Sequence, residues 1–281
     1  MQNINNSLQN KIYHSFCPVC HNNNFKNKFI INDFTITQCL SCGLMFVKEK
    51  LSQQELDDYY KKGIGNCVYL NDENVENLKY YYRNLRAVIT DKIPTGKILD
   101  IGCNTGYFLD VMEGFERYGI ERSLNHGNIA KGKYGDKVFV GTFEDYKIPD
   151  FLFDCITMQD VLDHLIDPVE ALKKCNKLLK PGGILIIKVH DLSSLYAKIM
   201  GKNFYAFIMT LDEAAFNVVF SKHMGHLMFF STVFYRLSRG EQNNIFFRIY
   251  KLLEGTKLGN LKLYKNLHDI ITVFAVKKKE D

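Results

Sequence analysis

Short apolar runs alternate along this chain with stretches in which apolar residues recur every three or four positions. The run KILDI, residues 97–101, predicts a buried strand, and apolar side chains then return at helical spacing from Tyr107 to Phe115. A second apolar run, residues 184–189, predicts another buried strand. Residues 51–63 and 77–89 are predicted to be helices. The centre of the chain is therefore expected to contain a strand, a loop of small residues and a helix.

A further helix is predicted to begin after residue 167. Asp167 is placed to cap it, Pro168 occupies the first helical position and Glu170 follows three residues after the cap. The buried stripe of this helix is predicted to consist of Leu172, Cys175 and Leu179.

Composition indicates a globular protein with one main domain and appendages. The 281 residues are 46% hydrophobic and 24% charged, and the net charge of +5 includes no long basic stripe. The polar N-terminus lacks a secretory signal, and Asp212 and Glu213 interrupt the longest apolar stretch. We therefore expect a cytoplasmic protein without a membrane span. In that compartment its eight cysteines are expected to be thiols or metal ligands.

Four of the cysteines form two C-x2-C pairs that 18 residues separate. Two such turns can close a tetrahedral four-cysteine zinc site, whereas four free buried cysteines would not explain the paired spacing. The predicted ligands are Cys17, Cys20, Cys39 and Cys42. A complete shell leaves no open position, so the zinc is predicted to be structural. His21 is an alternative ligand, although a surface histidine is the simpler interpretation.

The loop that follows the first strand favours a cationic nucleotide-like ligand. A dinucleotide site would require glycine at positions 104 and 107, where this chain has Asn104 and Tyr107. Asp100 at the strand end would also repel a pyrophosphate. S-adenosylmethionine carries a sulfonium and an ammonium group but no phosphate, so it would tolerate this carboxylate.

The segment ILDIGCNTG, residues 98–106, resembles the first motif of class I S-adenosylmethionine-dependent methyltransferases, an acid followed by Gly-x-Gly-x-Gly. The resemblance implies an α/β fold with a doubly wound, seven-stranded Rossmann-like sheet. It places Asp100 near the methionine end of the cofactor, above a turn formed by Gly102, Asn104 and Gly106. Asn104 replaces the middle glycine. Asparagine is the non-glycine residue that best tolerates positive φ, so we expect the loop to keep its cofactor-binding conformation.

The resemblance extends to three later segments. Glu121, at the end of the second strand, is implied to accept both ribose hydroxyls, the alternative being a solvated surface acid. Thr142 and Phe143 match the segment that clamps the adenine, Phe143 chiefly through its backbone. Residues 153–164 match the fourth strand and place Gln159 at its carboxyl end, where open α/β sheets bind ligands. The C-terminal residues 267–279 are predicted to form the antiparallel edge strand that closes the fold.

The segment SKHMGHLMFFS, residues 221–231, resembles one found in sugar C-methyltransferases that also carry a four-cysteine module. Gly225 stands where that family has a glutamate, which argues against C-methylation because removal of a carbon-bound proton needs a supported base. Methyl transfer to a hydroxyl requires only one histidine whose pKa is near neutral pH, which accepts the hydroxyl proton. His226 is the leading candidate for this base and His223 the second, and an anchoring structural role is the alternative for either.

These patterns predict four regions: a zinc-binding module at 1–50, a helical linker or lid at 51–90, the S-adenosylmethionine-binding core at 91–191, and a substrate cap with closing edge strands at 192–281. The predicted function is methyl transfer to a small molecule, a sugar or sugar nucleotide of glycan biosynthesis. Two alternatives are an RNA-modifying methyltransferase and a catalytically silent S-adenosylmethionine-binding protein. Only Lys26 and Lys28 are basic between residues 17 and 47, which argues against the RNA alternative.

Overall fold

The computed structural model describes residues 12–31, 34–50, 72–165, 167–190, 214–224, 226–238, 242–265 and 270–278. A small module comes first. Its strands are β1 (Ile12–Tyr13), β2 (Phe25–Ile31), β3 (Phe34–Cys39), β4 (Met45–Val47) and β5 (Glu49–Lys50). Strands β2, β3 and β4 form an antiparallel sheet, and β1 pairs with β5. The module buries the thiols of three cysteines and Val19 in place of a large apolar core.

The main body is built on a seven-stranded sheet, as the sequence predicts. Its strands in chain order are β6 (Lys97–Ile101), β7 (Glu116–Glu121), β8 (Val138–Val140), β9 (Phe153–Gln159), β10 (Leu179–His190), β11 (Phe216–Lys222) and β14 (Ile270–Lys277). Across the sheet they lie in the order β11-β14-β10-β9-β6-β7-β8.

Most of the sheet is parallel, and this brings the strand ends together. Strands β8, β7, β6, β9 and β10 pair in parallel, whereas β14 is antiparallel to both β10 and β11. Strand β11 therefore runs parallel to β10. The six strands other than β14 consequently end at one side of the sheet, which we call the carboxyl edge.

The prediction that the C-terminal strand closes the sheet at its edge is wrong. Strand β14 lies between β10 and β11, and β11 is the edge strand. Residues 271–275 of β14 are buried without interruption. A strand that has two neighbours and two covered faces is buried along its whole length, so the residues IITVFA, which are apolar except for Thr272, suit an interior position better than an edge.

Helices cover both faces of the sheet and make the fold doubly wound, as expected. Helices α1 (Asp72–Lys92), α2 (Tyr107–Val111) and α3 (Leu124–Tyr134) contribute buried side chains to the cluster that contains Ile98. Helix α4 (Pro168–Leu178) packs into the cluster that contains Leu99, on the opposite face. Its cap is as predicted, since the Glu170 N–H donates to Asp167 Oδ1 at 3.0 Å. Of the predicted stripe, Leu172 and Cys175 are buried on the helix, whereas Leu179 is buried as the first residue of β10, because the helix ends at Leu178.

Helix α1 is part of this core as well as a possible cover for the cleft. Leu85 and Ile89 are at most 1% exposed and belong to the same cluster as Ile98. The boundary between the linker or lid and the core, placed at residue 90, stays a prediction. The second half of α1, which lies before that boundary, packs against the sheet. Because α1 ends just before β6 begins, its N-terminal half lies toward the carboxyl edge.

In the described part of the region 232–266, for which the sequence predicted no elements, the structure has most of one helix, a second helix and one strand of an antiparallel pair. Strand β12 (His226–Phe229) pairs antiparallel with β13 (Lys262–Lys265), and β12 also packs against α1. Between these strands lie α5 (Phe230–Leu237) and α6 (Ile245–Leu253), which contact each other through Tyr235 and Tyr250.

Some predictions fall outside the described residues. The predicted helix at 51–63, the start of the cap at 192–213 and Gly225 are among them. Within the part of the chain that is described, no helix combines the length and the apolar character that crossing a membrane would require.

Candidate functional site

The loop after β6 is a tight turn in which three residues adopt left-handed backbone conformations. The φ angles are 78° at Gly102, 52° at Asn104 and 90° at Gly106. Asn104 therefore takes the positive φ expected of it, and its Oδ1 accepts the N–H of Thr105 at 2.7 Å. The N–H groups of Gly102 and Cys103 both donate to the carbonyl of Ile120 on β7. The missing glycine thus leaves the turn intact.

Asp100 is a buried carboxyl group just below this loop. Its side chain is 2% exposed, and Thr157 donates a hydrogen bond to Oδ1 at 2.6 Å across the β6–β9 pair. Burial raises the pKa of Asp100 to about 7, the charge of Glu121 adds to that effect and the Thr157 hydrogen bond opposes it. A cation bound nearby would favour the ionised form, because it would offset the lost hydration.

Glu121 connects the end of β7 to the loop. Its Oε2 accepts the N–H of Asn104 at 2.8 Å, and its Oε1 accepts the N–H of Ser123 at 2.7 Å. An ionised carboxylate offers about four lone-pair positions, two on each oxygen. Each oxygen therefore accepts one backbone N–H and keeps one free lone pair. Two adjacent hydroxyl groups could donate to these two lone pairs.

The other predicted cofactor residues also lie at the carboxyl edge. Thr142 and Phe143 follow β8, where the Thr142 hydroxyl donates to Asp145 at 2.6 Å and the Phe143 carbonyl accepts from Lys174. Gln159 ends β9 and is 9% exposed. The fold thus brings together all eight predicted cofactor residues, although they come from four separate segments.

Unpaired buried polar atoms mark the same region. Among the described residues, four have buried side-chain polar atoms that lack a hydrogen-bond partner, and three of the four lie near this site, Arg86 in the C-terminal half of α1 being the exception. Thr105 in the loop, Gln159 at the end of β9 and Asn77 in the N-terminal half of α1 lie toward the carboxyl edge. Such atoms are rare in folded proteins and indicate a missing polar partner. The Thr105 hydroxyl, the Asp100 carboxylate and the oxygens of Glu121 together fit a cationic, hydroxyl-bearing nucleoside.

A polar row beside this site was missed by the sequence reasoning. Lys188 on β10 is in register with Gln159 on β9 and with Thr272 on β14, so the three side chains share a face. Tyr81 of α1 covers the row, donating to Gln159 Oε1 at 3.3 Å and lying 3.0 Å from the Thr272 hydroxyl. Lys188 Nζ donates to Asp160 Oδ2 at 2.5 Å. One signal was available, because Lys188 is the single charged residue within the apolar run 184–189.

Of the two histidine candidates, the structure places His223 at a distance from the loop and describes only the backbone of His226. His223 directly follows β11, so it is at the carboxyl edge, four strands or roughly 19 Å across the sheet from β6. The backbone of His226 belongs to β12 and pairs with Lys265, while its side chain is outside the described part. The catalytic roles of both residues stay predictions.

The four predicted ligand cysteines converge on one point in the N-terminal module. Their sulfur atoms all lie within 4.8 Å of one another, with separations of 3.6 Å for Cys17–Cys42 and 3.5 Å for Cys20–Cys39. Tetrahedral zinc with Zn–S bonds of about 2.3 Å requires sulfur separations of about 3.8 Å. The set therefore matches a zinc ion in both chemistry and size.

The two cysteine turns repeat the same backbone geometry. In each turn the carbonyl of the first cysteine accepts the N–H four residues later, from His21 in one and from Gly43 in the other. Both of these residues have positive φ, 54° and 80°. His21 is exposed and stands outside the group of four sulfurs, which agrees with its interpretation as a surface residue.

The thiols differ in their affinity for protons. Burial raises the pKa of Cys17 to about 11 and also raises that of Cys42. Burial acts in the same direction on Cys39, but the N–H groups of Cys42 and Ser41 and the neighbouring Cys20 outweigh it and lower the pKa of Cys39 to about 7. Holding all four as thiolates therefore requires a cation at the centre.

The buried Asp100 predicts a specific pH dependence of stability. Its folded-state pKa of about 7 lies above the unfolded value of about 3.9, so the folded protein binds this proton more tightly and loses stability as pH rises between these values. Asp100→Asn removes the ionisation. Raising the pH from 4.5 to 8 should therefore lower the free energy of unfolding of the wild type by ~3 kcal/mol relative to that of Asp100→Asn. Urea unfolding of both proteins without ligand measures this difference. Asp150→Asn, an exposed control, should show no such trend. A pH-independent difference for Asp100→Asn would contradict the assignment.

Comparison with known proteins agrees with this geometry. The family described as "Methyltransferase domain" matches residues 74–236, more than half of the chain. A ubiquinone biosynthesis O-methyltransferase of Histophilus somni (strain 2336) is 26% identical over 155 residues, which are 49% of this chain and 63% of that protein. An uncharacterized methyltransferase of Schizosaccharomyces pombe is 32% identical over 119 residues, 36% of this chain and 42% of that protein. The matches thus span less than two thirds of either relative.

The fold comparison adds one solved structure. A chain from the complex between the Haloferax volcanii Trm112 methyltransferase activator and a methyltransferase superposes with a TM-score of 0.50 and 16% identity. The superposition covers 80% of this chain and 98% of that one, and at this identity it shows the fold alone. With the family match and the seven-stranded sheet, it leads to one conclusion: this chain belongs to the class I S-adenosylmethionine-dependent methyltransferases.

Proposed function

We propose that this protein transfers a methyl group from S-adenosylmethionine to a hydroxyl of a small molecule, most specifically a sugar or sugar nucleotide of glycan biosynthesis. The observation that carries the choice of methyl donor is the buried Asp100 carboxylate beneath an intact left-handed turn. This group repels phosphate and attracts a cation, which distinguishes the cofactor from a dinucleotide.

Eight residues would hold the cofactor. In chain order these are Asp100, Gly102, Asn104, Gly106, Glu121, Thr142, Phe143 and Gln159. S-adenosylmethionine supplies an electrophilic methyl group. The protein's part is to bind the donor, to orient the acceptor and to exclude water, so the reaction needs few strictly catalytic side chains.

A hydroxyl acceptor is favoured over a carbon acceptor. The Histophilus relative is named as an O-methyltransferase, and Gly225 provides no carboxylate to support the removal of a carbon-bound proton. His226, or secondarily His223, would accept the hydroxyl proton as the oxygen attacks. The sugar class rests on the resemblance of residues 221–231 and of the cysteine module to sugar methyltransferases.

The acceptor class can be tested by measuring S-adenosylhomocysteine release with three probes. UDP-glucose, catechol and a structured RNA transcript represent a sugar nucleotide, a phenolic hydroxyl and a nucleic acid. We expect turnover with UDP-glucose to be at least tenfold faster than with the others. Faster turnover of catechol would overturn the sugar class, and faster turnover of RNA would favour the RNA-modifying alternative. Binding of S-adenosylmethionine without turnover of any probe or of an extract of the native cell would favour the silent protein.

The ribose role of Glu121 predicts a loss of discrimination. The wild type should bind S-adenosylhomocysteine about tenfold more tightly than its 2′-deoxy analogue, because a hydrogen bond to a charged group contributes ~1.5 kcal/mol or more. Glu121→Ala should remove this ratio in calorimetry. A loosened loop would weaken both ligands alike and leave the ratio unchanged, so the ratio isolates the ribose contact. Glu113→Ala, an exposed acid at the opposite edge of β7, is the control. A ratio that persists in Glu121→Ala would contradict the ribose role.

The convergent cysteines support a structural zinc ion as a second part of the proposal. The module buries few apolar side chains besides the sulfurs, so the metal would contribute directly to its folding. Four thiolates would fill the coordination shell and leave no position for a substrate.

Zinc content and local folding test this directly. The purified protein should contain about one zinc per chain by mass spectrometry, and Cys39→Ser should lose it and become cleavable by protease within residues 12–50. Its affinity for S-adenosylhomocysteine should stay within twofold of the wild type, because the core clusters do not include the module. Cys175→Ala, a buried thiol elsewhere, should keep the zinc. A metal-free wild type, or a protease-resistant module after chelation, would refute the assignment.

A further inference from the structure

Two buried amide side chains toward the carboxyl edge lack hydrogen-bond partners. Asn77 is 5% exposed and neither Nδ2 nor Oδ1 is paired, and Gln159 is 9% exposed with Nε2 unpaired. Leaving such groups unpaired costs stability, and native proteins retain them chiefly where another molecule supplies the partner. The two amides therefore point to a polar ligand.

The two amides are connected through Tyr81. Asn77 and Tyr81 are four residues apart on α1, so they lie on the same helix face, with Asn77 about 6 Å nearer the carboxyl edge. The Tyr81 hydroxyl in turn donates to Gln159. Asn77 therefore lies one helical turn from the residue that covers the polar row of Gln159, Lys188 and Thr272, on the side where the strands end.

This place lies beside the cofactor loop, on the side of β6 that is opposite to β7 and β8. Tyr81 also contacts Thr272 on β14, which is three strands, or about 14 Å, from β6 and the Asp100 carboxylate. Gln159, one of the eight residues proposed to hold the cofactor, lies between the two regions because β9 is adjacent to β6, so it can border both the donor and the acceptor. A ligand that reaches both Asn77 and Gln159 would therefore lie next to the cofactor without overlapping the ribose and adenine contacts.

The charges near the amides are balanced. The Lys188 ammonium group bonds to the Asp160 carboxylate, and it also lies 5.0 Å from the centre of the Tyr81 ring. Lys188 is buried, whereas the side chain of Asp160 is 42% exposed. The positive charge is already neutralised, so an anionic group would gain little here and would approach the exposed side of a carboxylate.

The chemistry of the amides indicates which neutral ligand suits them. Asn77 offers a donor and an acceptor side by side, and Gln159 adds a donor. Hydroxyl groups both donate and accept, and two neighbouring hydroxyls match one amide. We propose that Asn77 and Gln159 bind the hydroxyls of an uncharged, polyhydroxylated ring, the acceptor, above the neutral Lys188–Asp160 pair. This inference rests on the proposed function and specifies its substrate as a neutral sugar ring.

Asn77→Leu tests the subsite with a side chain of similar size that cannot form hydrogen bonds. Calorimetry would measure the affinity for UDP-glucose and for UDP-glucuronate on protein saturated with S-adenosylhomocysteine. UDP-glucose carries a hydroxymethyl group where UDP-glucuronate carries a carboxylate. The wild type should prefer UDP-glucose at least tenfold, and Asn77→Leu should weaken UDP-glucose binding at least tenfold. Its affinity for S-adenosylhomocysteine should stay within twofold, and its unliganded melting temperature should be at least that of the wild type, because an unpaired buried amide has been removed.

Asn176→Leu is the matched control. Asn176 is also a helical asparagine, but its Nδ2 donates to the Ala215 carbonyl at 3.0 Å, so the variant should lose thermal stability and keep its affinity for UDP-glucose. Three results would overturn the inference: no binding of UDP-glucose by the wild type, preference for UDP-glucuronate, or loss of S-adenosylhomocysteine affinity in Asn77→Leu, which would assign Asn77 to the methyl donor. Binding of UDP-glucose that depends on Asn77 but gives no turnover would support the subsite while refuting methyl transfer to this class.

Discussion

The burial of the Asp100 carboxylate is the constraint on which the cleft depends. Strands β6 and β9 pair beside it and exclude water, and the Thr157 hydroxyl is its hydrogen-bond donor among the described residues. Ionising the group there opposes folding, and the core clusters on the two faces of the sheet offset that cost. The outcome is a negative site at the carboxyl edge that disfavours phosphate and favours a cation. The acid therefore matters more to ligand choice than the number of glycines in the loop.

Neighbouring strands hold the cleft together through their ends. The loop after β6 donates to the Ile120 carbonyl and to the Glu121 carboxylate, and the Gly141 N–H after β8 donates to the Glu121 carbonyl. Three consecutive strand ends are thus linked by backbone hydrogen bonds. This linkage explains why Asn104 can replace a glycine: the conformation is maintained from outside the loop as well as by the Asn104 side chain.

Unpaired polar atoms and the cysteine cluster show the same balance between stability and binding. Asn77 and Gln159 carry amide groups that would weaken the fold if nothing bound them, and the N-terminal module has too few apolar contacts to fold well without its proposed metal. In both places the groups that fail to stabilise the isolated chain are suited to a ligand. Stability and binding are therefore coupled at two separate points of one molecule.

Local pattern was sufficient for much of this protein. Cysteine spacing, the capped helix at Asp167 and the acid before the small-residue loop depend on residues close in sequence, and the structure contains each of them. The interior position of β14 and the polar row of Gln159, Lys188 and Thr272 could not be read in this way. They arise from cross-strand register between segments far apart in the chain, and register depends on how the whole sheet assembles. The sequence alone thus determined the family and the loop proposed to bind the methyl donor, whereas only the tertiary structure decided which distant side chains stand beside that loop.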